Sequence, residues 1–153
     1  MTVSASWRSA PHTLAETTVQ SYRDANFAAV KSLWEHSYPN DPPWNRAETV
    51  IPTKMATQPD LFVVALDEDE LVGAALAGYD GHRGWLYSVT VARPHHRLGI
   101  GSALVRELEQ RLAALGCHKI NLQVRSLNMS LVSFYHSLGY RTEDRVSMGR
   151  RLA

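Results

Sequence analysis

The sequence predicts one mixed α/β domain, in which helices flank a central sheet. Segments with strand-like alternation or runs of β-branched residues are interspersed with longer segments that carry apolar residues at helical spacing. Glycines follow the two clearest helical segments, where a left-handed residue commonly ends a helix. Strands and helices mixed in this way indicate an α/β or α+β arrangement around one sheet. Residues 1–16 are polar and are predicted to form an N-terminal extension ahead of a single domain over residues 17–153.

The first half of the chain is predicted to begin with a strand and two helices. TVQSYR (residues 18–23) alternates polar and apolar residues as a half-buried strand does. Asp24 is placed to cap a helix that follows it. Prolines require a loop over residues 39–46, because they remove backbone donors and fix φ. A second helix is predicted over residues 47–57.

The middle of the chain predicts three strands and the longest helix. Residues 61–67 and 71–79 form a strand pair joined by the acidic turn DEDE, and residues 85–91 form a third strand rich in aromatic and β-branched residues. Residues 100–115 have one apolar face and are followed by Gly116, which ends the helix.

The last part of the chain predicts two more strands and one helix. Alternation over residues 120–125 indicates a strand, and residues 128–138 form a helix that ends at Gly139. A closing strand is predicted over residues 146–152, where apolar residues recur at every second position.

Composition excludes several classes of protein. The formal net charge is +1, so nothing global requires nucleic acid or an anionic membrane as a partner. The longest apolar runs are strand-sized and too short to cross a bilayer, and the N-terminus lacks the apolar stretch of a secretory signal. We therefore expect a cytoplasmic protein. The single cysteine, Cys117, excludes an internal disulfide and a thiolate-rich metal site, and its place after a helix end favours a buried structural thiol.

The most informative segment is VTVARPHHRLGIGSALVRELE (residues 89–109). A strand ends, a short basic loop follows, and Gly99 and Gly101 open the long helix. The first turn of a helix presents backbone N–H groups without intrahelical partners and carries partial positive charge, so the pattern predicts a phosphate cradle. Glycines that only permit close packing of helix on strand would give the same pattern. The segment lacks the Gly-Lys-Ser/Thr of a P-loop and the three-glycine spacing of the dinucleotide fingerprint.

HRLGIG (residues 96–101) resembles the Q/R-x-x-G-x-G/A motif of the GCN5-related N-acetyltransferases, the GNAT superfamily. VTVARP precedes the motif, Asn128 follows the next strand, and FYHSLGY (residues 134–140) comes afterwards in the same order as in the family. The resemblance extends from Thr18 to the C-terminus. Within the superfamily, PWN, AGYDGHRG and MGRRL resemble the YpeA-like bacterial group.

The resemblance implies a GNAT fold and acetyl-CoA as co-substrate, without a metal. The implied fold is a mixed, splayed sheet of about six to seven strands flanked by about four helices. Acetyl-CoA enters where the strands that end at Val91 and Arg125 part. Backbone groups hold the acetyl and pantetheine portion, backbone N–H groups of the motif bind the pyrophosphate, and an Asn contacts the cofactor. The expected residues are Val89, Val91, Ala92 and Arg93 for the first portion, Arg97, Leu98, Gly99, Ile100, Gly101 and Ser102 for the second, and Asn128.

Two adjacent histidines lie at the start of the motif. His96 stands where the family has Gln or Arg, and we expect a mild effect because the backbone does most of the binding. Neighbouring loop residues rarely ligate one metal ion, so His95 and His96 are interpreted as phosphate-side or solvated residues.

Tyr135 matches the family residue that protonates the leaving thiolate of coenzyme A. A phenol with an ordinary pKa of about 10 can do this only with help from its position. The spacing of Phe134, Tyr135 and Leu138 alone fits the apolar face of a short helix, and the motif favours the acid role.

The proton acceptor for the amine is not where relatives have it. Ribosomal-protein acetyltransferases of the family carry Glu where this chain has Gln123, which cannot take a proton but can position a water. Glu35 is a candidate residue of the acceptor site. The alternative is that Glu35 is a solvated charge at the end of a helix. Trp44 is expected to wall the acceptor site or to cap the core. His36 and Glu48 are further candidates.

The turn GYDGHRG (residues 78–84) is the favoured location for acceptor chemistry. We predict that Asp80 and His82 bind and deprotonate the acceptor amine, directly or through water, and that Arg83 holds an acceptor carboxylate. The alternative is a bare hairpin turn in which Gly81 and Gly84 supply positive φ and Asp80 caps the turn locally.

The predicted function is N-acetyl transfer from acetyl-CoA to a primary amine of a small molecule or a peptide N-terminus, directly in a ternary complex. The expected partners are acetyl-CoA and the amine, with no nucleic acid or membrane, and a homodimer is left open. The alternative is a non-catalytic acyl-CoA-binding module, because the chain has Gln123 where relatives have Glu. A nucleotide-binding domain of another fold would explain the Gly-x-Gly helix but not the spacing of Asn128 and Tyr135.

Overall fold

The computed structural model describes residues 17–152, which fall into two compact units. One unit ends at Leu122 and the other begins at Gln123. The predicted N-terminal extension, residues 1–16, lies outside the described residues. Within the described part of the chain, no helix is long and apolar enough to cross a membrane.

The first unit contains a mixed sheet, as the sequence predicts. Its described strands number five and lie in the order β1-β2-β3-β4-β5, so the expectation of six to seven strands was too high. Neighbouring strands are antiparallel except for β4 and β5, which are parallel. The strands are β1 (Thr17–Ser21), β2 (Phe62–Asp67), β3 (Glu70–Tyr79), β4 (Gly84–Val91) and β5 (Ile120–Asn121).

Helices cover both faces of this sheet. A Cβ atom at Gly73 of β3 would lie 3.1 Å from Leu104 Cδ1 of helix α3 (Ile100–Ala114). The next residue, Ala74, belongs instead to a buried cluster with residues of α1 (Phe27–Ser37) and α2 (Ala47–Thr57). Because successive strand residues point to opposite faces, α1 and α2 lie on one face and α3 on the other.

The predicted helices 47–57 and 100–115 are confirmed by α2 and α3. Helix α3 is fixed by an apolar stripe, each residue of which contributes about 1.5–3 kcal/mol through burial. The buried residues of this stripe are Ile100, Leu104, Val105, Leu108 and Leu112.

The second unit contains helix α4 (Met129–Ser137) and no strand among residues 123–152. The predicted closing strand over residues 146–152 was wrong, and the strand predicted over residues 120–125 shrinks to β5. Val146, Met148 and Leu152 are between 85% and 89% exposed. Alternation of apolar residues predicts a strand only where a neighbouring element covers the apolar side, and these side chains have no such cover in the described structure.

Candidate active site

Strand β4 contains a bulge in its second half. The register with β3 shifts between the pairs Ala74–Thr90 and Leu76–Tyr87, and Ser88 has a φ of 50°. Such a bulge takes residues out of the regular ladder and re-aims the side chains that follow. Tyr87 and Thr90 therefore lie on the same face of the sheet, the face covered by α1 and α2.

The end of helix α1 is attached to the strand just beyond this bulge. Thr90 Oγ1 donates to the carbonyl oxygen of Ser88 at 3.2 Å, so the 2.8 Å bond from Tyr38 must be donated by the Tyr38 hydroxyl to Thr90 Oγ1. On its other edge, β4 pairs with β5 only at Gly84 and Trp85. The remainder of β4 has no parallel strand partner among the described residues.

The loop after β4 leads into the predicted cradle at the start of α3. Arg97 has a φ of 65° and Gly99 a φ of 84°, both in the left-handed region. The Ala103 N–H donates to the Gly99 carbonyl at 3.0 Å, the first bond of the helix. The N–H groups of Ile100, Gly101 and Ser102 precede that bond and are therefore available to an anion. The local backbone thus has the form of the predicted phosphate cradle.

Two hydrogen bonds fix the end of β4 beside this cradle. The Ala92 N–H donates to the Val72 carbonyl at 2.7 Å, and His96 Nε2 lies 2.6 Å from the Val91 carbonyl oxygen. Because a carbonyl only accepts, the His96 ring donates this bond. His96 therefore holds the loop against the end of β4, and the mild effect expected of this departure from the motif stays a prediction.

His95 does not have the environment that the sequence suggested. Its side chain is buried, and Nε2 donates to Asp67 Oδ2 at 3.2 Å, with both residues at most 5% exposed. The interpretation of His95 as a solvated or phosphate-side residue was wrong, because the short helical turn Arg93–His95 directs it into the protein while His96 stays at the surface. No group of three potential ligands among the His, Cys, Asp and Glu of the described chain is arranged to hold a metal.

An open groove of about 360 Å³ lies on the α2 side of β4. Trp44, Lys54 and Tyr87 contribute its largest side chains, and Trp44 is 49% exposed. Trp44 thus lines a groove, as the acceptor-site interpretation requires. The other lining residues are Thr49, Val50, Thr53, Thr57, Gln58 and Gly78.

Lys54 is the cation of this groove, and sequence reasoning missed it. Its side chain is buried at 5% exposure, Nζ donates to the Ala77 carbonyl, and Nζ lies 5.4 Å from the centre of the Tyr87 ring. Burial lowers the pKa of Lys54 from an ordinary 10.5 to about 8, and burial also raises the pKa of Tyr87. A lone lysine in a helix gives no sequence signal of this kind, since lysine is usually solvated.

The turn between β3 and β4 is held by Asp80. Its Oδ1 accepts the N–H groups of His82 and Arg83, each at 2.7 Å. These bonds, that to Arg83 first, lower the pKa of Asp80, so the carboxylate stays ionised. Gly81 has the left-handed φ of 91°, as the turn interpretation requires. Gly84 was expected to share that role but starts β4, where a Cβ atom would lie 2.9 Å from Cys117 Sγ and 3.0 Å from Leu112 Cδ1.

His82 and Arg83 contact each other in this turn. Arg83 Nη1 lies 3.2 Å from His82 Nδ1 and 3.2 Å from the His82 carbonyl oxygen. Because a guanidinium only donates, Nδ1 of His82 is the accepting nitrogen in this arrangement. Gly78 and Tyr87, which lie on the two strands that the turn connects, both line the groove.

Glu35 forms an ion pair at the surface of helix α1. Its carboxylate lies 2.6 Å from Lys31 Nζ, one helical turn earlier, and the side chain is 59% exposed. The hydrogen bond from Lys31 lowers the pKa of Glu35. This environment fits a solvated charge at a helix end better than a proton acceptor.

The second unit contains the remaining candidates. Asn128 caps α4, since its Oδ1 accepts the Leu131 N–H at 3.2 Å. Tyr135 is 7% exposed and contacts Phe134 and Tyr140 edge-on, with ring centres 4.9 and 5.7 Å apart. Gln123 Nε2 donates to Ser147 Oγ at 2.5 Å. The Tyr135 environment is compatible with both the packing role and the acid role.

Comparisons with known proteins agree with these features. Residues 23–140 match the model of the Acetyltransferase (GNAT) family. An acetyltransferase of Pectobacterium atrosepticum is 41% identical over 134 residues, which are 88% of this chain and 94% of that protein.

Solved structures with low sequence identity share the fold. AAC(6')-Iy in complex with the bisubstrate analogue CoA-S-monomethyl-acetylneamine has a TM-score of 0.73 and 15% identity, over 90% of this chain and 99% of that one. The NatC complex bound to Gag peptide and CoA has a TM-score of 0.71 and 19% identity, over 80% and 83% of the two chains.

Proposed function

Because the chain belongs to the GNAT family of acetyltransferases and uses acetyl-CoA as its co-substrate, we propose that it acetylates a primary amine by direct transfer in a ternary complex. The observation that carries this proposal is the placement of three features in one unit. The anion cradle at the start of α3 follows the bulged strand β4, and β4 also supplies Tyr87 to the groove. The same strand would thus lie beside both the acetyl donor and the amine.

The cradle residues fit the phosphates of the co-substrate. Left-handed backbone at Arg97 and Gly99 turns successive N–H groups to one side, and the first turn of α3 adds the positive end of the helix dipole. We assign the pyrophosphate to the backbone of residues 97–102. Val89, Val91, Ala92 and Arg93 are assigned to the acetyl and pantetheine portion, and Asn128 to a further contact.

The bulge provides a means of polarising a carbonyl. Ser88 and Val89 are left out of the regular pairing between β3 and β4, so their backbone groups are not committed to that ladder. Acetyl-CoA supplies an activated thioester carbonyl. A backbone N–H directed at that oxygen stabilises the charge that develops on it.

Two proton transfers complete the proposed chemistry. Tyr135 is the proposed donor to the leaving thiolate. His82 is the proposed acceptor of the amine proton, directly or through water, and Asp80 positions it by fixing the turn. In the structure, Arg83 contacts His82 Nδ1. If the amine or a water took the place of Arg83, Nδ1 could accept the proton. Gln123 has no proton-accepting capacity and is assigned to holding water.

The acceptor belongs to one of two classes. The structural neighbours include one bound to an analogue that contains acetylneamine, a small molecule, and one bound to a peptide. The groove of about 360 Å³ suits a small amine or the first residues of a peptide. The curated relatives are acetyltransferases, which favours catalysis over the non-catalytic module that the sequence left open.

A panel of primary amines tests the proposal. Purified protein is incubated with acetyl-CoA and each amine, thiol release is followed over time, and mass spectrometry locates the acetyl group. We expect amine-dependent turnover with the acetyl group on nitrogen, and no such turnover from Gly101→Asp. Thiol release that is the same with and without every amine would contradict N-acetyl transfer.

A further inference from the structure

Lys54 is a buried cation for which the described structure offers no opposite charge. Its Nζ carries three N–H donors, and the Ala77 carbonyl accepts one of them. No described carboxylate forms an ion pair with it. The face of the Tyr87 ring, 5.4 Å away, provides only a weak cation–π contact.

Keeping this charge buried has a cost that a ligand would offset. Moving an ammonium group out of water is unfavourable unless the charge is paired, and the lowered pKa of Lys54, about 8, reflects that cost. At neutral pH the group is still mostly protonated. A buried, protonated and unpaired lysine in the wall of an open groove is therefore a binding position for an anion.

The rest of the groove favours an acceptor with one negative charge. Of the described residues that line it, none is acidic and Lys54 is the one cation. The Thr49 and Thr57 hydroxyls donate to the Pro43 and Thr53 carbonyls at 2.8 and 2.9 Å, so each hydroxyl oxygen can still accept a hydrogen bond. Such oxygens suit an amine N–H.

Gln58 holds the end of β3 and keeps one N–H of Nε2 for a ligand, a neutral donor only. Its side-chain amide bonds both backbone groups of Tyr79, at 2.9 and 3.1 Å, and so continues the edge of β3. Trp44 and Tyr87 provide aromatic walls. Lys54 is therefore the one positively charged donor among the described residues of the groove.

We propose that the acceptor is a primary amine that also bears a carboxylate, and that Lys54 binds this carboxylate in the groove. The inference rests on the proposed function and names the substrate class of the same site. One lysine matches a carboxylate in charge, whereas a phosphate carries about −1.5 to −2 at neutral pH. Polycationic amines are disfavoured, because they would place further positive charge beside Lys54.

The same lysine assists the chemistry of the amine. A positive charge nearby disfavours the ammonium form of the acceptor and so lowers its pKa. More of the bound amine is then the neutral nucleophile. This effect reduces the demand on a proton acceptor in a chain that has Gln123 where relatives have Glu.

Matched substrates test the carboxylate directly. We would compare phenylalanine, phenylalanine amide and 2-phenylethylamine, whose amines sit on the same carbon framework. The amide is the less basic amine, so more of it is neutral at pH 7, and a preference for the acid cannot come from basicity. We expect kcat/KM to favour the acid by about tenfold or more, the ordinary range for a hydrogen bond to a charged group.

Variants of Lys54 then assign the preference to this residue. Lys54→Met removes the charge and keeps the length, and we expect KM for the acid to rise about tenfold or more while the preference over the amide disappears. Lys119→Met makes the same replacement at an exposed lysine and is expected to keep the preference. Thermal unfolding and acetyl-CoA titration show whether each variant is folded and holds the co-substrate.

Calorimetric titration of the amino acid into coenzyme A-loaded protein distinguishes carboxylate binding by Lys54 from acetyl transfer to the amine. Binding that depends on Lys54, without acetyl transfer to any amine, would refute the proposed function and leave the carboxylate site standing. Turnover in which acid and amide are equal, or a preference that survives Lys54→Met, would refute the carboxylate site.

Two further outcomes would also overturn the assignment. One is a preference for an amine that bears phosphate, such as O-phosphoethanolamine, over its carboxylate counterpart β-alanine. The other is an advantage of wild type over Lys54→Met that grows with rising pH through about 8, since that is the behaviour of a proton acceptor. Binding of a carboxylate by protonated Lys54 requires this advantage to shrink over the same range.

Discussion

The buried imidazole of His95 donates a hydrogen bond from Nε2 to Oδ2 of Asp67, 3.2 Å away, and so ties the loop that precedes the cradle to the end of β2. The loop begins at the end of β4, whose carbonyl at Val91 accepts from His96. One histidine therefore anchors the loop in the protein interior, and its neighbour fastens it to the strand.

Replacement of His95 by Ala is expected to lower the free energy of unfolding by about 1–3 kcal/mol, because a buried carboxylate oxygen loses its donor. Urea unfolding of His95→Ala, Asp67→Ala and the double variant gives the coupling between the two side chains. His118→Ala, at an exposed histidine, is the control and should change little. Additive single effects would show that the pair does not stabilise the loop.

The cradle was predictable because it depends on local backbone geometry. Gly99 and Gly101 stand between a strand and a helix in the sequence, and that order alone indicates a turn with free N–H groups. The bulge at Ser88 has no such signal, since a serine with positive φ is set by pairing with β3. His95 and His96 are neighbours with opposite environments, which only the course of the loop decides.

The groove depended on contacts that are distant in sequence. Lys54 donates to the carbonyl of Ala77, 23 residues later, and no local pattern announces this. The closing strand over residues 146–152 was predicted wrongly for the same reason, because its formation depends on contacts distant in sequence. The alternation of Val146, Met148 and Leu152 gives the correct period for a strand but cannot show whether any element covers those side chains.

The unfolding free energy should depend on pH through Lys54. Its folded pKa is lowered from 10.5 to about 8, so between these values the unfolded chain binds more protons than the folded one. The free energy of unfolding therefore rises with pH across this window, by about 3 kcal/mol for a shift of this size. Below pH 8 the contribution of Lys54 does not change with pH. Urea unfolding from pH 7 to 10.5 should show this rise in wild type relative to Lys54→Met. Parallel curves for the two proteins would mean that Lys54 titrates normally.

Tyr135→Phe should separate the acid role from packing. The ring and its edge contacts with Phe134 and Tyr140 remain, and only the hydroxyl is lost. We expect kcat to fall by about 10²–10⁴-fold with little change in acetyl-CoA affinity, the usual effect of losing a general acid. Tyr140→Phe is the matched control in the same cluster. Unchanged kcat in Tyr135→Phe, with chemistry rate-limiting, would assign Tyr135 to packing alone.

His82→Ala tests the turn between β3 and β4. If His82 accepts the amine proton, the variant should lower kcat/KM for the amine, leave acetyl-CoA affinity unchanged, and change the pH–rate profile. The Asp80 bonds to backbone N–H groups do not involve the imidazole, so the turn itself should persist. His118→Ala serves again as the control. A variant with full activity and the wild-type profile would make the segment a turn only.

Calorimetric titration of acetyl-CoA into wild type and Gly101→Asp tests whether the cradle at the start of α3 binds the pyrophosphate. An aspartate in the first turn of α3 places bulk and negative charge where the cradle receives a phosphate, so binding should be abolished. Gly149→Asp is the matched control, because a Cβ atom there meets nothing within 4 Å. We expect saturable binding by wild type and Gly149→Asp and none by a folded Gly101→Asp. Wild-type affinity in folded Gly101→Asp would contradict the cradle as the site of acetyl-CoA.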